Sequence, residues 1–557
     1  MPTTTNPALV PSDRYTAERI DGFIAAGHWE RGSLAEHLEQ LADAAPDKPA
    51  LTDGYGALSR GELRAQAYRL ARSLQRLGIE PGDRVQAQLP NWNEFVVIYL
   101  ALARIGAVLV PTMPVYRDDE VAYVIQQSGA KISFVTSEFR HFDYAAMMER
   151  LRNQLPGLEQ VVVVRGEAAG DQLSFDDLIA GDDVPGADEL GAYADPDAAH
   201  AVIYTSGTES RPKGCQHTYA TMSFTAHRLA QDLFRLTEDD VMLMPTPVTH
   251  ATGLAAGLMS PLLYGASVHL IDVWEPHDGL NRIAEYRTTV SMAATPFLQM
   301  ALGAMKADPS HDMSSMRLWA SAGAPIPEAM LRDWREHIPD CVPLPVYGNS
   351  EGLVVTAMQL DDPAEKIVSS DGRPAHGIEL DVRDEDGNIL GVGEEGEIHY
   401  RSPGVMLGYW SDPEKTAAAF TEDSFFRTGD LGRIDEDGFL RVTGRIKDLI
   451  IRGGINISAR EVEEHSATHA AVEAIAAVSM PDDKLGEKVC AFIVPAGDER
   501  ITISELADYL RNEHHLAAVK CPERIIFVES LPITATGKVQ KFLLREQAAE
   551  AVRADQA

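Results

Sequence analysis

The chain contains few cysteines, and their spacing is informative. Its four cysteines, Cys215, Cys341, Cys490 and Cys521, lie far apart and form no Cys-x-x-Cys pair. This spacing argues against a disulfide framework and against a zinc site, and it fits a reducing compartment. We therefore expect a cytoplasmic protein.

Long apolar runs are also missing. The most apolar stretch, Phe95 to Pro111, is interrupted by Arg104 and Gly106 and is too short to cross a bilayer. A buried helix followed by a buried strand is predicted there instead. The amino terminus has no basic start followed by an apolar core, so we expect no signal peptide and no transmembrane segment.

Positive charge is scarce relative to negative charge. The chain has 49 Lys and Arg against 84 Asp and Glu, a formal net charge of −35. A surface this acidic repels nucleic acid and anionic lipid, which excludes a polyanionic partner. An anionic cofactor would need a local basic site.

The pattern along the 557 residues predicts an α/β protein with more than one domain. Helical and strand patterns alternate through the first part of the chain, which predicts parallel sheet with flanking helices. After about residue 375, short alternating runs separated by Asp-Gly and Gly-Glu turns predict antiparallel hairpins. Ser458 and Glu461 form a capping-box pattern, so a helix is predicted to begin there. The last hundred or so residues mix short helices and strands.

One loop combines hydroxyls, glycines and a lysine. Residues 204–214 are YTSGTESRPKG, and an apolar run precedes them. This predicts a strand that enters a phosphate-binding loop. A P-loop NTPase would need a second glycine five residues after Gly207 and a Ser or Thr after the lysine. Pro212 and Gly214 occupy those places, so the loop belongs to another class of nucleotide enzyme.

Four further segments occur in a fixed order after this loop. They are YGNSEG (347–352), RTGDLG (427–432), GRIKDLIIRGG (444–454) and TATGKVQKFLLR (534–545). With the first loop, they resemble the adenylate-forming superfamily of acyl- and aryl-CoA synthetases, peptide-synthetase adenylation domains and luciferases. The resemblance extends from about residue 30 to the end and is strongest to short- and medium-chain acyl-CoA synthetases and alicyclic or aryl carboxylate–CoA ligases.

The resemblance implies a fold and a reaction. The implied fold is a large amino-terminal domain, residues 1–446, of parallel sheets with flanking helices and a small β-barrel, followed by a small mobile α+β domain, residues 447–557. The implied reaction converts a carboxylic acid and ATP, with Mg²⁺, into an acyl-adenylate and pyrophosphate, and the thiol of coenzyme A then displaces AMP. Transfer to a carrier-protein phosphopantetheine or another nucleophile, a non-enzymatic nucleotide-binding protein and a luciferase-type oxidase are the alternatives. A homodimer is left open.

The resemblance also assigns the nucleotide-binding residues. It places one group around the β- and γ-phosphates, namely Thr205, Ser206, Gly207, Thr208 and Lys213. It places a second group around adenine, namely Gly323, Ala324, Tyr347, Gly348 and Asn349. Ser350 would contact the α-phosphate, Glu351 would bind Mg²⁺, and Asp430 and Arg445 would hold the ribose. Lys538 would bridge the substrate carboxylate and the α-phosphate as the two anions meet. Glu209, next to the triphosphate, has no assigned role.

The remaining assignments concern the acid and the thiol. Lys447 falls at the implied hinge, and Gly453 and Gly454 would line a pantetheine tunnel. The acyl pocket would be lined by His250, Gly253, Leu254, Phe297 and Leu353, although a packed core histidine also explains His250. The surrounding segments are small and apolar, which favours an uncharged medium-chain aliphatic, alicyclic or aryl acid.

Overall fold

The computed structural model describes residues 14–205, 211–323, 326–497, 500–534 and 538–556. These residues form two large sheets with helices, a four-stranded antiparallel sheet and a small carboxyl-terminal sheet. The predicted α/β class, with a large amino-terminal part and a separate small carboxyl-terminal part, is confirmed.

The first large sheet has nine strands, and its six central strands are parallel. In spatial order the strands are Arg373–Pro374, Thr356–Ala357, Val342–Tyr347, Leu318–Ser321, Val290–Ala293, Val241–Met244, Ser267–Leu270, Pro49–Thr52 and Ala57–Ser59. Since the carboxyl ends of parallel strands meet at one edge of a sheet, the loops after the strands that end at Ala293, Ser321 and Tyr347 are neighbours.

The second large sheet has eight strands and is mostly parallel. In spatial order they are Gly408–Tyr409, Gly214–Thr218, Ala199–Tyr204, Val108–Pro111, Arg84–Gln88, Ile132–Thr136, Gln160–Val164 and Leu173–Ser174. The first three pair antiparallel, so the predicted phosphate-binding loop connects two neighbouring antiparallel strands. A short pair, Glu138–Phe139 and Phe142–Asp143, lies apart from both sheets.

The α-helices of the first two-thirds of the chain are Ala17–Ala25, Leu34–Ala44, Arg60–Arg76, Asn93–Ile105, Asp118–Ser128, Tyr144–Leu151, Phe175–Ile179, Tyr219–Arg228, Ser260–Tyr264, Pro276–Tyr286, Thr295–Ala307, Glu328–His337 and Ala364–Ser369. Those that follow are Pro413–Ala418, Ala459–Ser466, Ile503–Glu513 and Lys541–Gln556. Leu229–Phe234 and Gly253–Met259 are π-helical.

The antiparallel strands predicted after residue 375 form an open sheet. Its strands are Glu379–Arg383, Gly396–Arg401, Phe426–Ile434 and Leu440–Arg445, in that order. The small barrel implied by the resemblance is not seen in the described residues, because the first and last of these strands are edges and do not pair.

The chain then passes through residues 446–448 into the carboxyl-terminal sheet. That sheet has the order Ile455–Ser458, Leu449–Arg452, Gly486–Pro495 and Val472–Asp482, and Arg524–Phe527 pairs with the third of these. The predicted domain boundary at residues 446 and 447 stays a prediction, but it falls within this connection.

Local sequence explains several of these elements. Ser59 and Glu62 form a complete capping box at the start of helix Arg60–Arg76. The Ser458 hydroxyl accepts a hydrogen bond from Glu461 N at the start of helix Ala459–Ser466, as predicted. The apolar stretch at residues 95–111 is a buried helix and a buried strand, separated by a left-handed Gly106.

One hydrophobic cluster connects the two large sheets through the helices between them. It contains Leu63 and Phe95 from helices, Leu109 from the second sheet and Leu344 from the first sheet. Among the helices of the described ranges, none combines the length and the apolar character that a membrane crossing needs. The four cysteines are buried and unpaired.

Candidate active site

Two cavities meet at the carboxyl edge of the first sheet. The larger has a volume of about 270 Å³ and lies between the antiparallel sheet and the small domain. The smaller has a volume of about 50 Å³ and extends into the large domain. Four residues line both cavities, namely Gly323, Val346, Gly348 and Lys538. Lys538 therefore lies where the contents of the two cavities would touch.

The larger cavity contains three of the residues predicted to bind ATP in one hydrogen-bonded group. Asp430 is 5% exposed and accepts two hydrogen bonds, from the Tyr347 hydroxyl at 2.7 Å and from Arg445 Nε at 2.8 Å. The carboxylate beside Arg445 raises the pKa of that guanidinium, so the cation persists at any physiological pH. The group gives the cavity a fixed carboxylate, a phenol and a cation, which suits a ribose and its phosphate.

Lys538 enters this cavity from the small domain, where two hydrogen bonds join it to Thr534. Thr534 N donates to Lys538 O at 2.7 Å, and Lys538 N donates to Thr534 Oγ1 at 3.1 Å. Gly323 lies beside this lysine and has φ +90°, a left-handed conformation that favours glycine, while a Cβ atom there would make only an ordinary contact of 3.6 Å with Lys538 Cε. Burial, and next the positive charge of Arg445, lower the pKa of Lys538 to about 8.

The loop YGNSEG turns tightly after the strand that ends at Tyr347. A Cβ atom on Gly348 would lie 2.0 Å from Leu353 O, so only glycine fits there. Leu353 adopts φ +62°, a left-handed conformation that is costly for a leucine and that is typical of functional sites. Asn349 Oδ1 closes the turn by accepting hydrogen bonds from Gly352 N at 2.8 Å and from the Tyr400 hydroxyl at 2.9 Å.

Ser350 and Glu351 follow in the same loop. Ser350 lines the smaller cavity, and its carbonyl accepts a hydrogen bond from His217 Nε2 at 2.8 Å. Burial lowers the pKa of His217 to about 4, so its ring is neutral at physiological pH. Glu351 does not line either cavity. Its Oε1 accepts a hydrogen bond from the Tyr409 hydroxyl at 2.8 Å.

The charge on Glu351 acts on Lys538, and a second lysine lies beside the tyrosine that contacts Glu351. Lys213 Nζ lies 4.6 Å from the centroid of the Tyr409 ring, and the negative charges of Asp430 and Glu351 partly counteract the lowering of the Lys538 pKa. Within the described residues, no group of three or more His, Cys, Asp or Glu side chains is arranged to hold a metal. A single carboxylate is the protein ligand that Mg²⁺ takes when it shares substrate phosphates, so Glu351 fits that ion.

The predicted phosphate-binding loop begins and ends in the second sheet. Thr205 N donates to Lys213 O at 2.9 Å, and Lys213 N donates to Thr205 Oγ1 at 3.2 Å, so these two residues close the base of the loop. The predicted residues Ser206, Gly207, Thr208 and Ala324, as well as Glu209, lie outside the described residues.

The smaller cavity is lined mainly by apolar side chains. They are Leu229, Ala251, Ala255, Ala256, Met292, Ala294, Ala322, Val346, Leu353 and Val354. Leu229 belongs to one π-helix, and the pair Ala255 and Ala256 belongs to the other. Short π-helical segments occur frequently at functional sites, and here two of them supply one wall.

Three residues predicted for this pocket do not line the cavity. Gly253 packs against backbone, since a Cβ atom on it would lie 2.2 Å from Pro247 O. Leu254 is fully buried in the main hydrophobic cluster. Phe297 packs against Trp274, with ring centroids 5.8 Å apart. Sequence alone could not separate Gly253 and Leu254 from Ala255 and Ala256, because the π-helix changes which side chains face inward. Phe297 lies on the α-helix Thr295–Ala307.

His250 lies at the end of the smaller cavity that is nearest to Lys538. Its Nδ1 accepts a hydrogen bond from Thr252 N at 3.3 Å. Burial, and then the charge of Lys538, lower the pKa of His250 to about 3. The ring is therefore neutral near pH 7 and carries its hydrogen on Nε2, which makes it a hydrogen-bond donor rather than a base.

The predicted hinge and tunnel residues lie at the start of the small domain. Lys447 is exposed and lines the larger cavity beside Arg445. Gly453 and Gly454 form the turn between the strands that end at Arg452 and begin at Ile455, and both have positive φ. They are exposed and line neither of the two cavities.

The two joined cavities place Lys538 at the boundary between a polar compartment and an apolar one. The family model described as "AMP-binding enzyme" matches residues 38–410, and that described as "AMP-binding enzyme C-terminal domain" matches residues 461–538. The chain belongs to the AMP-binding enzyme family. This membership confirms the predicted superfamily and the predicted AMP-forming ligase class.

Relatives and solved structures agree along almost the whole chain. The medium-chain fatty-acid–CoA ligase of Escherichia coli (strain K12) is 37% identical over 96% of this chain and 93% of its own length. The 2,3-dihydroxybenzoate-AMP ligase of Bacillus subtilis (strain 168) is 34% identical over 96% of this chain and 98% of its own. The crystal structure of the anthranilate CoA ligase AuaEII with anthranoyl-AMP is 27% identical, with a TM-score of 0.85 over 94% of this chain and 98% of that one.

Proposed function

We propose that the protein uses Mg·ATP to activate an uncharged aliphatic, alicyclic or aryl monocarboxylic acid and passes the acyl group to coenzyme A. The observation that carries this proposal is the shared boundary of the two cavities, at which Lys538 can meet a nucleotide and an acid together. An acyl-CoA ligase and an anthranilate CoA ligase among the similar proteins support the thiol acceptor.

The residues of the larger cavity bind and orient the nucleotide in this proposal. The Asp430 carboxylate receives the ribose hydroxyls, and Arg445 adds a positive charge next to it. Glu351 would hold Mg²⁺, which when bound neutralises charge on the phosphates. Lys213, at the end of the phosphate loop, adds a second positive charge, besides that of Arg445, for the phosphates of ATP.

Lys538 then brings two anions together. The carboxylate of the acid and the α-phosphate repel each other, and an ammonium between them offsets that repulsion in a site with little water. A carboxylate oxygen attacks the α-phosphorus, the bond to the β-phosphate oxygen breaks, and pyrophosphate leaves. The thiol sulfur of coenzyme A next attacks the acyl carbon and expels AMP.

The smaller cavity supports the class of acid. Ionisable side chains in its described lining are those of His250 and Lys538, both of which line the end shared with the nucleotide. None of these lining residues is a carboxylate, so an amino group on the substrate tail would find no counter-ion. The aliphatic remainder favours an uncharged tail.

Pyrophosphate release with Mg·ATP across aliphatic, alicyclic and aryl acids, with and without coenzyme A, tests the function. Turnover that depends on coenzyme A, with an acyl-CoA mass in the product, is the expected result. Release without acyl-CoA would favour the second candidate, transfer to a carrier protein, which the 2,3-dihydroxybenzoate-AMP ligase and a salicyl-AMP ligase / salicyl-S-ArCP synthetase support as relatives. No release with any acid would contradict both. A cytoplasmic location, which the four unpaired cysteines support, belongs to the same proposal.

A pH profile tests the state of Lys538. Because its pKa is lowered to about 8, the ammonium of the free enzyme is lost as the pH rises through that value. We expect kcat/KM for adenylation to fall above about pH 8, since kcat/KM reports the ionisation of the free enzyme. The measurement is single-turnover pyrophosphate release without coenzyme A at low substrate concentration, so that thiol ionisation does not contribute.

Lys538→Arg provides the control for this profile. A guanidinium stays protonated throughout the range, so the residual activity of this variant should show no alkaline decline near pH 8. An unchanged alkaline decline in Lys538→Arg would assign the ionisation to another group.

The size of the smaller cavity gives a specificity prediction. Ala256→Leu adds three carbons to the π-helical wall of a cavity of about 50 Å³. We expect kcat/KM for octanoate to fall about 10- to 200-fold relative to butyrate, the range for small changes of apolar fit. Ala44→Leu, at the exposed end of helix Leu34–Ala44, is the matched control because Ala44 lines neither cavity. An unchanged octanoate-to-butyrate ratio, in a variant with a normal melting temperature, would remove Ala256 from the acyl pocket.

A further inference from the structure

The strip of chain at residues 402–410 connects two parts of the active site. Leu407 N donates to Gln216 O at 2.8 Å, and Trp410 N donates to Gly214 O at 2.7 Å, so the strip extends the sheet at the end of the phosphate loop. Met406 N donates to Glu351 O at 2.7 Å. The strip thus fixes the backbone of the loop that carries Glu351.

Tyr409 makes the side-chain connection. It is 7% exposed, its hydroxyl donates to Glu351 Oε1 at 2.8 Å, and its ring lies 4.6 Å from Lys213 Nζ. The Tyr409 side chain therefore contacts both the Glu351 carboxylate and the Lys213 ammonium. Neither the proposed chemistry nor the sequence motifs assign Tyr409 a role.

The amino-terminal arm, residues 14–29, holds the other side of this strip. Three of its side chains donate to carbonyls of alternate residues: Trp29 Nε1 to Pro403 O at 3.0 Å, the Tyr15 hydroxyl to Val405 O, and Arg14 to Leu407 O. The arm therefore holds the strip at three carbonyls, across the turn at residues 403–404 and the bends at Val405 and Leu407 that precede the strand Gly408–Tyr409.

The arm itself is firmly packed. Tyr15 and Trp29 are 4% and 3% exposed and stack with ring centroids 5.4 Å apart. The Arg14 guanidinium lies 3.6 Å from the centroid of the Phe420 ring. The arm is therefore a fixed support that joins segments almost 400 positions apart in sequence.

We propose that Tyr409, supported from behind by the amino-terminal arm, is the positioning residue that orients Glu351 toward the divalent cation of Mg·ATP. The arm fixes the strip, the strip fixes Tyr409, and the phenol fixes the carboxylate. This inference rests on the proposed function for the identity of the cation, but its test measures binding and does not need turnover.

Tyr409→Phe removes the hydroxyl and keeps the ring. A hydrogen bond to a charged group is lost, so we expect the affinity for Mg·ATP to fall about tenfold. Calorimetry measures this in the purified full-length protein, with ATP plus Mg²⁺ and with ATP plus a chelator. Binding of metal-free ATP should be unchanged, and the Mg²⁺ concentration that gives half-maximal pyrophosphate release should rise.

Two further variants separate positioning from stability. Tyr144→Phe is the matched control, because Tyr144 is 1% exposed, donates to Pro114 O at 2.6 Å and lines neither cavity. It should bind Mg·ATP like the wild type. Tyr15→Phe removes one contact between the arm and the strip and should weaken Mg·ATP binding about two- to fivefold, in the same metal-dependent way.

The outcomes are distinct. Unchanged Mg·ATP affinity in Tyr409→Phe, or equal losses with and without the metal, would overturn the positioning role. An effect in Tyr409→Phe but none in Tyr15→Phe would overturn the role of the arm. A wild type that binds Mg·ATP but releases no pyrophosphate with any acid would contradict the proposed function alone.

Discussion

Lys538→Ala is expected to lower kcat for acyl-adenylate formation about 10²- to 10³-fold, the loss seen when one preorganised electrostatic contact to a transition state is removed. The structure supplies the reason, because Lys538 lines both cavities and lies where the carboxylate would meet the α-phosphate. Single-turnover pyrophosphate release with saturating acid and Mg·ATP measures this step. The affinity for ATP should change less than kcat.

The second half-reaction, transfer of the acyl group to coenzyme A, should depend much less on Lys538 than acyl-adenylate formation does. When acyl-adenylate is supplied with coenzyme A, Lys538→Ala should form acyl-CoA at nearly the wild-type rate, since the carboxylate and the α-phosphate no longer have to be brought together. Lys520→Ala is the control, because Lys520 belongs to the same small domain but pairs with Glu461 and lines neither cavity. Equal losses in both half-reactions would refute the assignment of Lys538.

Asp430→Ala is expected to raise KM for ATP about 100-fold. Two charge-assisted hydrogen bonds to the ribose would be lost, each contributing about 1.5–3 kcal/mol, with some compensation by water. The change also leaves Arg445 without the carboxylate that it now contacts at 2.8 Å, so the cation reorients. Initial rates over a wide range of ATP concentrations measure KM.

The isosteric variant Asp430→Asn separates the loss of the ribose hydrogen bonds from the reorientation of Arg445. Asp430→Asn keeps the shape and one acceptor, so it should raise KM less than Asp430→Ala. Both variants should keep a KM for the acid within a few-fold of the wild type, because Asp430 does not line the smaller cavity. A larger rise for the acid than for ATP would contradict a ribose contact.

The short sequence motifs were enough to predict the residues that line the larger cavity from within those motifs. Tyr347, Asp430, Arg445 and Lys538 each lie within one of the recognised segments, and the structure brings them together at one cavity. Their individual roles stay predictions. The α/β class was predictable for a similar reason, because alternating helix and strand periods are local.

Contacts between distant segments were not predictable. Tyr409 and Tyr400 bond to the YGNSEG loop from more than 50 positions away, and His217 from 133 positions away. None of these three residues stands out by spacing. The inward-facing wall of the acyl cavity was missed because a π-helix departs from the 3.6-residue period on which such an assignment depends.

The four residues shared by the two cavities also have a thermodynamic consequence. In the proposed reaction, the nucleotide and the acid would each complete a wall of the other's cavity, and Lys538 would contact both. We therefore expect the binding free energies of nucleotide and acid to be linked. Linkage is reciprocal. If bound ATP changes the affinity for the acid by some factor, the bound acid changes the affinity for ATP by the same factor. We therefore expect the affinity for the acid to differ between the free enzyme and the enzyme with nucleotide bound.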